Sequence, residues 1–336
     1  SWDQEIDVLG ENAKNRRAVS LNIGVAKPNY LHTAFFGNAL EKPEKTALID
    51  GETGEMKTYR EVATHSLNIA TYLRRRCITK EAVAITMPKS MEQIEAMYGV
   101  LASENHYVPV SVEQPLERRN TIHNRIGIRY VITSRECVES IEWPADVVVI
   151  PFEDILEEAK EYRDISVEKY LGSLEEEKDD DAYIIMTSGS TGEPKGVLIS
   201  HRAAWNTIQD INTRCNINET DTGFAISAID FDLSVYDTFG ILGAGGKLVV
   251  IPENKRKDAF YWLEKVEKYS VTVWNSVPTL LDMLLLAKEE KGGEKLPIRI
   301  AMISGDWIKL DLPDRLADLT AESRFVAMGG ATEASI

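Results

Sequence analysis

The sequence predicts an α/β fold, with stacked, mainly parallel sheets and helices on both faces. Short apolar segments rich in β-branched residues alternate with longer amphipathic segments, which is the pattern of strands joined by crossover helices. Polar residues follow several of the strand-like segments, and open parallel sheets bind ligands at those carboxyl ends. With 336 residues, 43% of them hydrophobic, the chain is long enough for a large core.

The elements follow one another in a regular order. Residues 1–30 are polar and weakly patterned and are predicted to be an interdomain linker, and the aromatic segment 30–38 is expected to dock on a domain surface. The core is assigned to residues 31–336. Apolar spacing predicts helices over 59–77, 90–103, 201–213, 232–242, 257–269 and 278–290. Strand-like segments lie at 83–87, 107–110, 130–134, 147–151, 183–186, 224–227, 247–251, 271–274, 298–304 and 325–328.

The composition excludes several classes of function. Lys and Arg number 38 against 54 Asp and Glu, a net charge of −16, which argues against nucleic-acid or membrane-surface partners. The three cysteines (Cys77, Cys137 and Cys215) show no zinc or disulfide spacing. No apolar segment reaches transmembrane length, and the first residues lack the apolar region of a signal peptide. We expect a reduced, cytoplasmic enzyme that is a monomer.

Residues 182–201 (AYIIMTSGSTGEPKGVLISH) are the most informative stretch of the chain. A buried strand leads into a loop rich in glycine and hydroxyl groups, followed by a lysine. Small residues let backbone N–H groups turn toward a ligand, hydroxyls add donors, and the lysine adds charge, so the loop suits polyphosphate oxygens. The predicted phosphate-binding residues are Thr187, Ser188, Gly189, Ser190, Thr191, Gly192 and Lys195.

Two other phosphate-binding loops are excluded by their spacing. Gly189 and Gly192 enclose only two residues, and Lys195 is followed by glycine, so the P-loop pattern is not met. The glycines at 240–246 do not follow the dinucleotide fingerprint and precede a strand. They are therefore predicted to form a tight turn from a helix into that strand.

The phosphate-binding loop resembles the signature loop of the adenylate-forming superfamily, and further motifs extend the likeness. They are KTYREV (57–62), YVPVSVEQPLERR (107–119), FDLSVYD (231–237) and GGATEAS (329–335). In this order they are similar to nonribosomal peptide synthetase adenylation domains from about residue 31 onward. The resemblance implies an N-terminal core without its C-terminal lid, cut from a longer polypeptide after a condensation or cyclization domain. Such a piece is expected to be weakly active or inactive alone.

The resemblance also implies a reaction and its cofactors. ATP and an amino acid would form an aminoacyl-adenylate, and the acyl group would pass to the phosphopantetheine thiol of a carrier domain. Thr332 would contact the α-phosphate region and Glu333 would hold Mg²⁺, although both residue types also cap helices. Thr187, Lys195, Thr332 and Glu333 are the predicted catalytic residues, and Gly305, Gly329, Gly330 and Ala331 complete the nucleotide site.

The resemblance further implies an amino-acid substrate. Asp232 matches the aspartate that pairs with the substrate ammonium, and an ammonium needs such a partner. The other pocket positions map onto Leu233, Tyr236, Asn275, Met302, Ser304, Met328 and Ile336. Leucine, tyrosine and methionine fill volume, so a small side chain is expected, and methionine sulfur tolerates a thiol. The set resembles cysteine-activating domains of siderophore-type synthetases.

The sequence leaves several alternatives open. Serine or another small amino acid is the main rival substrate. An acyl- or aryl-CoA ligase is a second alternative, against which Asp232 argues, and a non-catalytic binding fragment is a third. The family's adenine-stacking aromatic and its asparagine partner are replaced here by Gly329 and Ala327. His201 and Cys215 are predicted to be packing residues without a role in catalysis.

Overall fold

The computed structural model describes residues 29–162, 166–174, 180–188 and 194–335. Nearly all of the predicted linker therefore lies outside the described residues. The strands are β1 (Thr46–Asp50), β2 (Met56–Thr58), β3 (Ala82–Ile85), β4 (His106–Pro109), β5 (Tyr130–Thr133), β6 (Val148–Pro151), β7 (Asp181–Ser188), β8 (Pro194–Ser200), β9 (Thr222–Ala225), β10 (Lys247–Val250), β11 (Val273–Ser276), β12 (Ile300–Ile303) and β13 (Arg324–Ala327).

The helices lie between these strands. They are α1 (Thr33–Glu41), α2 (Tyr59–Arg75), α3 (Met91–Ala102), α4 (Leu116–Ile126), α5 (Arg135–Ser140), α6 (Phe152–Ala159), α7 (Val167–Ser173), α8 (His201–Cys215), α9 (Leu233–Val235), α10 (Ile241–Gly243), α11 (Ala259–Lys268), α12 (Pro278–Lys291) and α13 (Leu312–Leu319). A π-helical turn (Tyr236–Gly240) joins α9 to α10, and 3₁₀ turns cover Glu253–Lys255 and Thr332–Ala334.

The strands form two sheets. One has seven strands in the order β13-β12-β11-β9-β10-β1-β2, and the other has six in the order β6-β5-β3-β4-β7-β8. All neighbouring pairs are parallel except β1–β2 and β7–β8. The predicted α/β class with mainly parallel sheets is confirmed. The predicted helices and strands fall close to observed ones, whereas several observed elements were not predicted, among them β1, β2, α4 and α13.

Helix α1 differs from its prediction. Phe35 and Phe36 are fully buried in the main core rather than docked on a surface. The side-chain amide of Asn38 donates to the carbonyl oxygens of Leu242 and Gly243, each at 3.0 Å. This helix is therefore an integral part of the core, because aromatic side chains of this size stabilise a fold mainly through complete burial.

Helices α2 and α3 approach each other closely at Gly99. A Cβ atom placed on this glycine would lie 2.6 Å from the Cβ of Ile69 and 2.8 Å from the carbonyl oxygen of Ser66. Helix α2 begins with a capping box, in which Thr58 and Glu61 each bond the backbone N–H of the other. The absence of a side chain at Gly99 therefore allows the two helices to pack at this short distance.

An ion pair fastens the amino ends of three neighbouring strands. Asp221 precedes β9 and accepts from the Nε of Arg299 at 2.8 Å and from the hydroxyl of Thr272 at 2.7 Å. Burial opposes ionisation of Asp221, but hydrogen bonds from Arg299, the Asn218 backbone and Thr272 outweigh it and keep the pKa below its usual value. The carboxylate therefore ties β9, β11 and β12 together at the end opposite the predicted site.

The glycine-rich segment 240–246 forms the predicted turn. Gly245 adopts φ +80°, a left-handed conformation that favours glycine, and β10 begins two residues later. Among the described residues no helix combines the length and apolar character that crossing a membrane requires.

Candidate active site

Two of the predicted site residues meet at the carboxyl ends of the strands. Asp232 begins the helix after β9 and is 9% exposed, and Thr332 lies in the 3₁₀ turn after β13. The hydroxyl of Thr332 donates to the Oδ2 of Asp232 at 2.7 Å. The predicted ammonium ligand and the predicted α-phosphate contact are thus direct neighbours.

Asn275 lies inside β11 rather than after it, and it is 2% exposed. Its side-chain amide nitrogen donates to the backbone oxygen of Leu233 at 3.1 Å and to the Oδ1 of Asp237 at 2.8 Å. In the sheet it pairs in register with Met302 of β12, which is fully buried. Four predicted site residues, Asp232, Leu233, Asn275 and Met302, are therefore clustered.

The loop after β12 continues the same edge of the sheet. The backbone N–H of Ser304 donates to the oxygen of Ser276 at 3.3 Å, and Ser304 is half-buried. Gly305 has φ +84°, and a Cβ atom there would lie 3.2 Å from both Phe231 and Val277. Only glycine fits this position comfortably, because the backbone conformation and the packing both disfavour a side chain.

The loop after β13 completes this edge. Met328 is half-buried against the main core, and its N–H donates to the oxygen of Ile303 at 2.8 Å. The next three residues of the predicted nucleotide site are exposed, and so is Glu333. The exposed residues are Gly329, Gly330 and Ala331. This loop therefore offers backbone and a carboxylate to solvent beside the buried pocket residues.

Tyr236 lies in the π-helical turn and is fully buried. Its hydroxyl donates to the Oδ1 of Asn212 on helix α8 at 2.8 Å, and its ring packs where a side chain on Gly240 would clash. The hydroxyl is thus committed to another part of the fold. Tyr236 can contribute its ring to a pocket, but the hydroxyl already has a partner.

The phosphate-binding loop is described only at its two ends. Thr187 and Lys195 face each other in register on the β7–β8 hairpin, with the hydroxyl of Thr187 donating to the Lys195 backbone oxygen at 3.4 Å. Lys195 is exposed, and the 3₁₀ turn that carries Thr332 contacts β8. Gly189, Ser190, Thr191 and Gly192, the side chain of Ser188, and Ile336 lie outside the described part of the chain.

Two buried charged residues near this cluster were missed by the sequence reasoning. Asp237 is 3% exposed and bonds Asn275, and Lys89 is 8% exposed, with its ammonium donating to the backbone oxygens of Ala225, at 2.9 Å, and Ser227. Burial raises the pKa of Asp237 and lowers that of Lys89, and the charge of each opposes the shift of the other. Asp237 is the last residue of the FDLSVYD motif, and its place in that motif could have identified it from the sequence.

His201 and Cys215 are buried at the two ends of α8, as expected for packing residues. The Nδ1 of His201 accepts from the backbone N–H of Leu31 at 3.1 Å, and burial lowers the pKa of the imidazole to about 3. This histidine is therefore neutral and structural at physiological pH.

Comparisons with known proteins indicate the family of the chain. The family described as AMP-binding enzyme matches residues 35–336. The chain is 41% identical to the anguibactin system regulator of Vibrio anguillarum, and the match covers 100% of this chain and 32% of that protein. It is 36% identical to pyochelin synthetase PchE of Pseudomonas aeruginosa, and the match covers 100% of this chain and 22% of that protein. The structure of the nonribosomal peptide synthetase FmoA3 in its α-methyl-L-serine-AMP bound form superposes with a TM-score of 0.80. The two sequences are 34% identical, and the superposition covers 92% of this chain and 34% of the FmoA3 chain. The chain spans about a third or less of the length of these relatives.

Proposed function

Because the chain belongs to the AMP-binding enzyme family, in its nonribosomal peptide synthetase adenylation type, we propose that it activates a small amino acid with ATP. The observation that carries this proposal is the contact between Thr332 and Asp232. It joins a buried carboxylate suited to an ammonium group to a hydroxyl suited to a phosphate, at the ligand-binding edge of a parallel sheet.

In the proposed reaction a carboxylate oxygen of the amino acid attacks the α-phosphorus of ATP. The bond from that phosphorus to the bridging oxygen breaks, and pyrophosphate leaves with the electron pair. Asp232 holds the ammonium group, Thr332 donates to an α-phosphate oxygen, and Lys195 is the exposed cation beside the leaving phosphates. Catalysis of this kind depends on positioning and on charge stabilisation rather than on an acid or base.

The site residues also fit a magnesium ion. Glu333 offers an exposed carboxylate on the turn that carries Thr332, and Mg²⁺ is commonly bound by one or two carboxylates together with substrate phosphates. When bound, the ion would neutralise charge on the phosphate oxygens. Glu333 would then contribute one ligand, and the nucleotide would contribute others.

We propose L-cysteine as the substrate. The proposed pocket would be mainly apolar with one polar side chain, because Leu233 and Met302 are buried next to Asn275, and methionine sulfur is a suitable neighbour for a thiol. The similarity to pyochelin synthetase PchE supports an amino acid of the kind that siderophore-type synthetases activate. Serine is the second candidate, because FmoA3 has been solved with α-methyl-L-serine-AMP.

The acyl group would then pass to the phosphopantetheine thiol of a carrier domain. A condensation or cyclization domain is the proposed neighbour, since the relatives named above are much longer than this chain and include a synthetase.

A titration of the protein with non-hydrolysable adenylate mimics tests the proposal. Cysteinyl, seryl and valyl mimics are compared by calorimetry, together with the Asp232→Ala variant. We expect the cysteinyl mimic to bind tightest and to lose affinity in the variant. Tighter binding of the seryl mimic would replace cysteine by serine, and the absence of binding by all three would refute the adenylation function.

A further inference from the structure

We propose that Lys89 and Gln114, two side chains from the six-stranded sheet, position the proposed ammonium ligand Asp232. They hold the loop 226–232, which joins β9 of the seven-stranded sheet to α9 and has Asp232 at its end. This inference rests on the proposed function and adds two positioning residues to it. Both residues act through the loop rather than by contact with the substrate.

The hydrogen bonds that the loop makes with its own backbone are local. The N–H of Phe231 donates to the oxygen of Ala228 at 3.1 Å, and the N–H of Ser234 donates to the oxygen of Phe231 at 3.0 Å. The hydroxyl of Ser234 also donates to the oxygen of Ile229 at 3.0 Å. Such bonds fold the loop into turns, but they do not fix its place relative to the sheets. That place depends on contacts of longer range.

Lys89 makes the first long-range contact, at the start of the loop. It lies between β3 and α3 and is 8% exposed. Its ammonium donates to the backbone oxygens of Ala225, at 2.9 Å, and Ser227, which are 136 and 138 residues away in the chain. A buried ammonium is costly unless acceptors surround it. The start of the loop is therefore fastened to the connection between β3 and α3.

Gln114 makes the second long-range contact, near the end of the loop. It follows β4, and its side-chain nitrogen donates to the Oδ2 of Asp230 at 2.8 Å. A carboxylate oxygen accepts hydrogen bonds, so the NH₂ group of Gln114 is the one that faces it. The backbone of Gln114 is fixed in turn, because its oxygen accepts from Arg119 at 2.6 Å. Asp230 lies only two residues before Asp232.

The two contacts come from neighbouring strands of one sheet. Strands β3 and β4 pair in parallel, and Lys89 and Gln114 follow their carboxyl ends. This edge of the six-stranded sheet thus holds the loop at the carboxyl end of β9 on the other sheet. Just after the second contact, Asp232 meets Thr332 at 2.7 Å. A displacement of about 1 Å in such a site can lower a rate about a hundredfold, so a loosened loop would impair the ammonium contact.

A small cavity beside the Lys89 contact decides which variants are informative. It measures about 20 Å³, has Lys89, Ser227 and Asp237 in its wall, and has room for about one water molecule. Methionine at position 89 keeps the length of the side chain and removes the donors, whereas the larger guanidinium of arginine does not fit. Lys89→Met also deprives the buried Asp237 of a nearby positive charge, so we expect this variant to lose stability as well.

The test compares two ligands that differ only in the ammonium group. A non-hydrolysable cysteinyl-adenylate mimic carries this group, and the corresponding 3-sulfanylpropanoyl mimic lacks it. Their affinity ratio, measured by calorimetry, reports the contact with Asp232. We expect the unmodified protein to prefer the cysteinyl mimic by about tenfold or more, the strength of a hydrogen bond to a charged group. If serine is the better substrate, the seryl and 3-hydroxypropanoyl mimics replace this pair.

The variants separate positioning from general stability. Lys89→Met and Gln114→Met each remove one contact and should bring the ratio close to one. Gln114→Glu places a second carboxylate against Asp230 and should do the same, whereas adding Asp230→Asn restores a donor and an acceptor and should restore the ratio. Lys288→Met is the matched control, because Lys288 is 2% exposed and pairs with Glu267 at 2.7 Å between α12 and α11. It should lower stability in urea and leave the ratio unchanged.

The outcomes distinguish the inference from the proposed function. Gln114 is half-buried, so its variants keep the test decisive if Lys89→Met does not fold. A ratio that stays high in Gln114→Met and Gln114→Glu, including equal weakening of both mimics, would overturn the inference and leave adenylation intact. Equal binding of the two mimics by the unmodified protein would show that Asp232 holds no ammonium group. That result, or failure of every mimic to bind, would remove the proposed amino-acid site and the inference with it.

Discussion

Replacing Thr332 by valine should tighten the binding of the free amino acid. In the structure the carboxylate of Asp232 already accepts a hydrogen bond from Thr332 at 2.7 Å. An incoming ammonium group must displace that hydroxyl or share the carboxylate with it. Valine has the same shape as threonine but no hydroxyl, so the variant removes the competitor.

The size of the effect follows from the kind of contact that is lost. A hydrogen bond to a charged group contributes about 1.5–3 kcal/mol. Asp232 is 9% exposed, so water can replace part of this contact in the variant. We therefore expect a net gain of about 1.4 kcal/mol, which is a tenfold lower Kd for the amino acid.

Calorimetric titration with L-cysteine alone measures this change, and Thr332→Ser, which keeps the hydroxyl, is the matched control. The serine variant should bind the amino acid as the unmodified protein does. The valine variant should also bind a non-hydrolysable ATP analogue more weakly, because the proposed α-phosphate contact is gone. Unchanged or weaker binding of cysteine by Thr332→Val would refute the view that Thr332 occupies the ammonium site.

Three further predictions concern stability. Gly99→Ala should lower the free energy of unfolding by about 1–3 kcal/mol through overpacking, measured by urea denaturation, whereas Gly37→Ala on α1 has open space and should be neutral or slightly stabilising. Asp221→Ala should cost about 3–5 kcal/mol, because Arg299 keeps a partly buried charge without its partner; a loss below 1 kcal/mol would contradict this. The pKa of the His201 imidazole is lowered to about 3 in the folded protein. The free energy of unfolding should therefore be unaffected by this group above pH 6.5 and should fall as the pH drops from 6.5 toward 3, by up to about 1.4 kcal/mol per pH unit. His201→Gln should flatten that part of the curve of unfolding free energy against pH.

Much of the candidate site follows from the order of the motifs in the sequence. Asp232 and Thr332 are 100 residues apart in the chain, yet each follows a strand of one parallel sheet, and the carboxyl ends of such strands share an edge. Gly305 was predicted for the same reason, and its left-handed backbone explains the residue type. Alternation of strands and helices was sufficient for the fold class because both periodicities are visible in sequence.

Other features could not be predicted because they depend on tertiary contacts. The hydrogen bond from the Tyr236 hydroxyl to Asn212 on helix α8 joins residues 24 apart in the chain, and helical periodicity gives no warning of such a contact or of the π-helical turn at Tyr236–Gly240. Lys89 stands in a polar connection that resembles an exposed loop, and only the fold shows that carbonyl oxygens surround its ammonium. The aromatic residues of α1 were assigned to a surface because their partners lie far along the chain.

The hydrogen bonds of Leu31 and Asn38 have a consequence for how the protein folds. Leu31, just before helix α1, and Asn38 within it bond groups 170 to 205 residues later in the sequence, namely His201 and the end of the helix before β10. Contacts of such long range form slowly, because a large loop must close before they gain any energy. During synthesis, the aromatic partners of Phe35 and Phe36 on α2, α3 and α7 leave the ribosome before the α8–α10 region, whereas Leu31 and Asn38 stay without their hydrogen-bond partners until that region has emerged. We expect this interval to be the period when the chain is most open to aggregation and most dependent on chaperones.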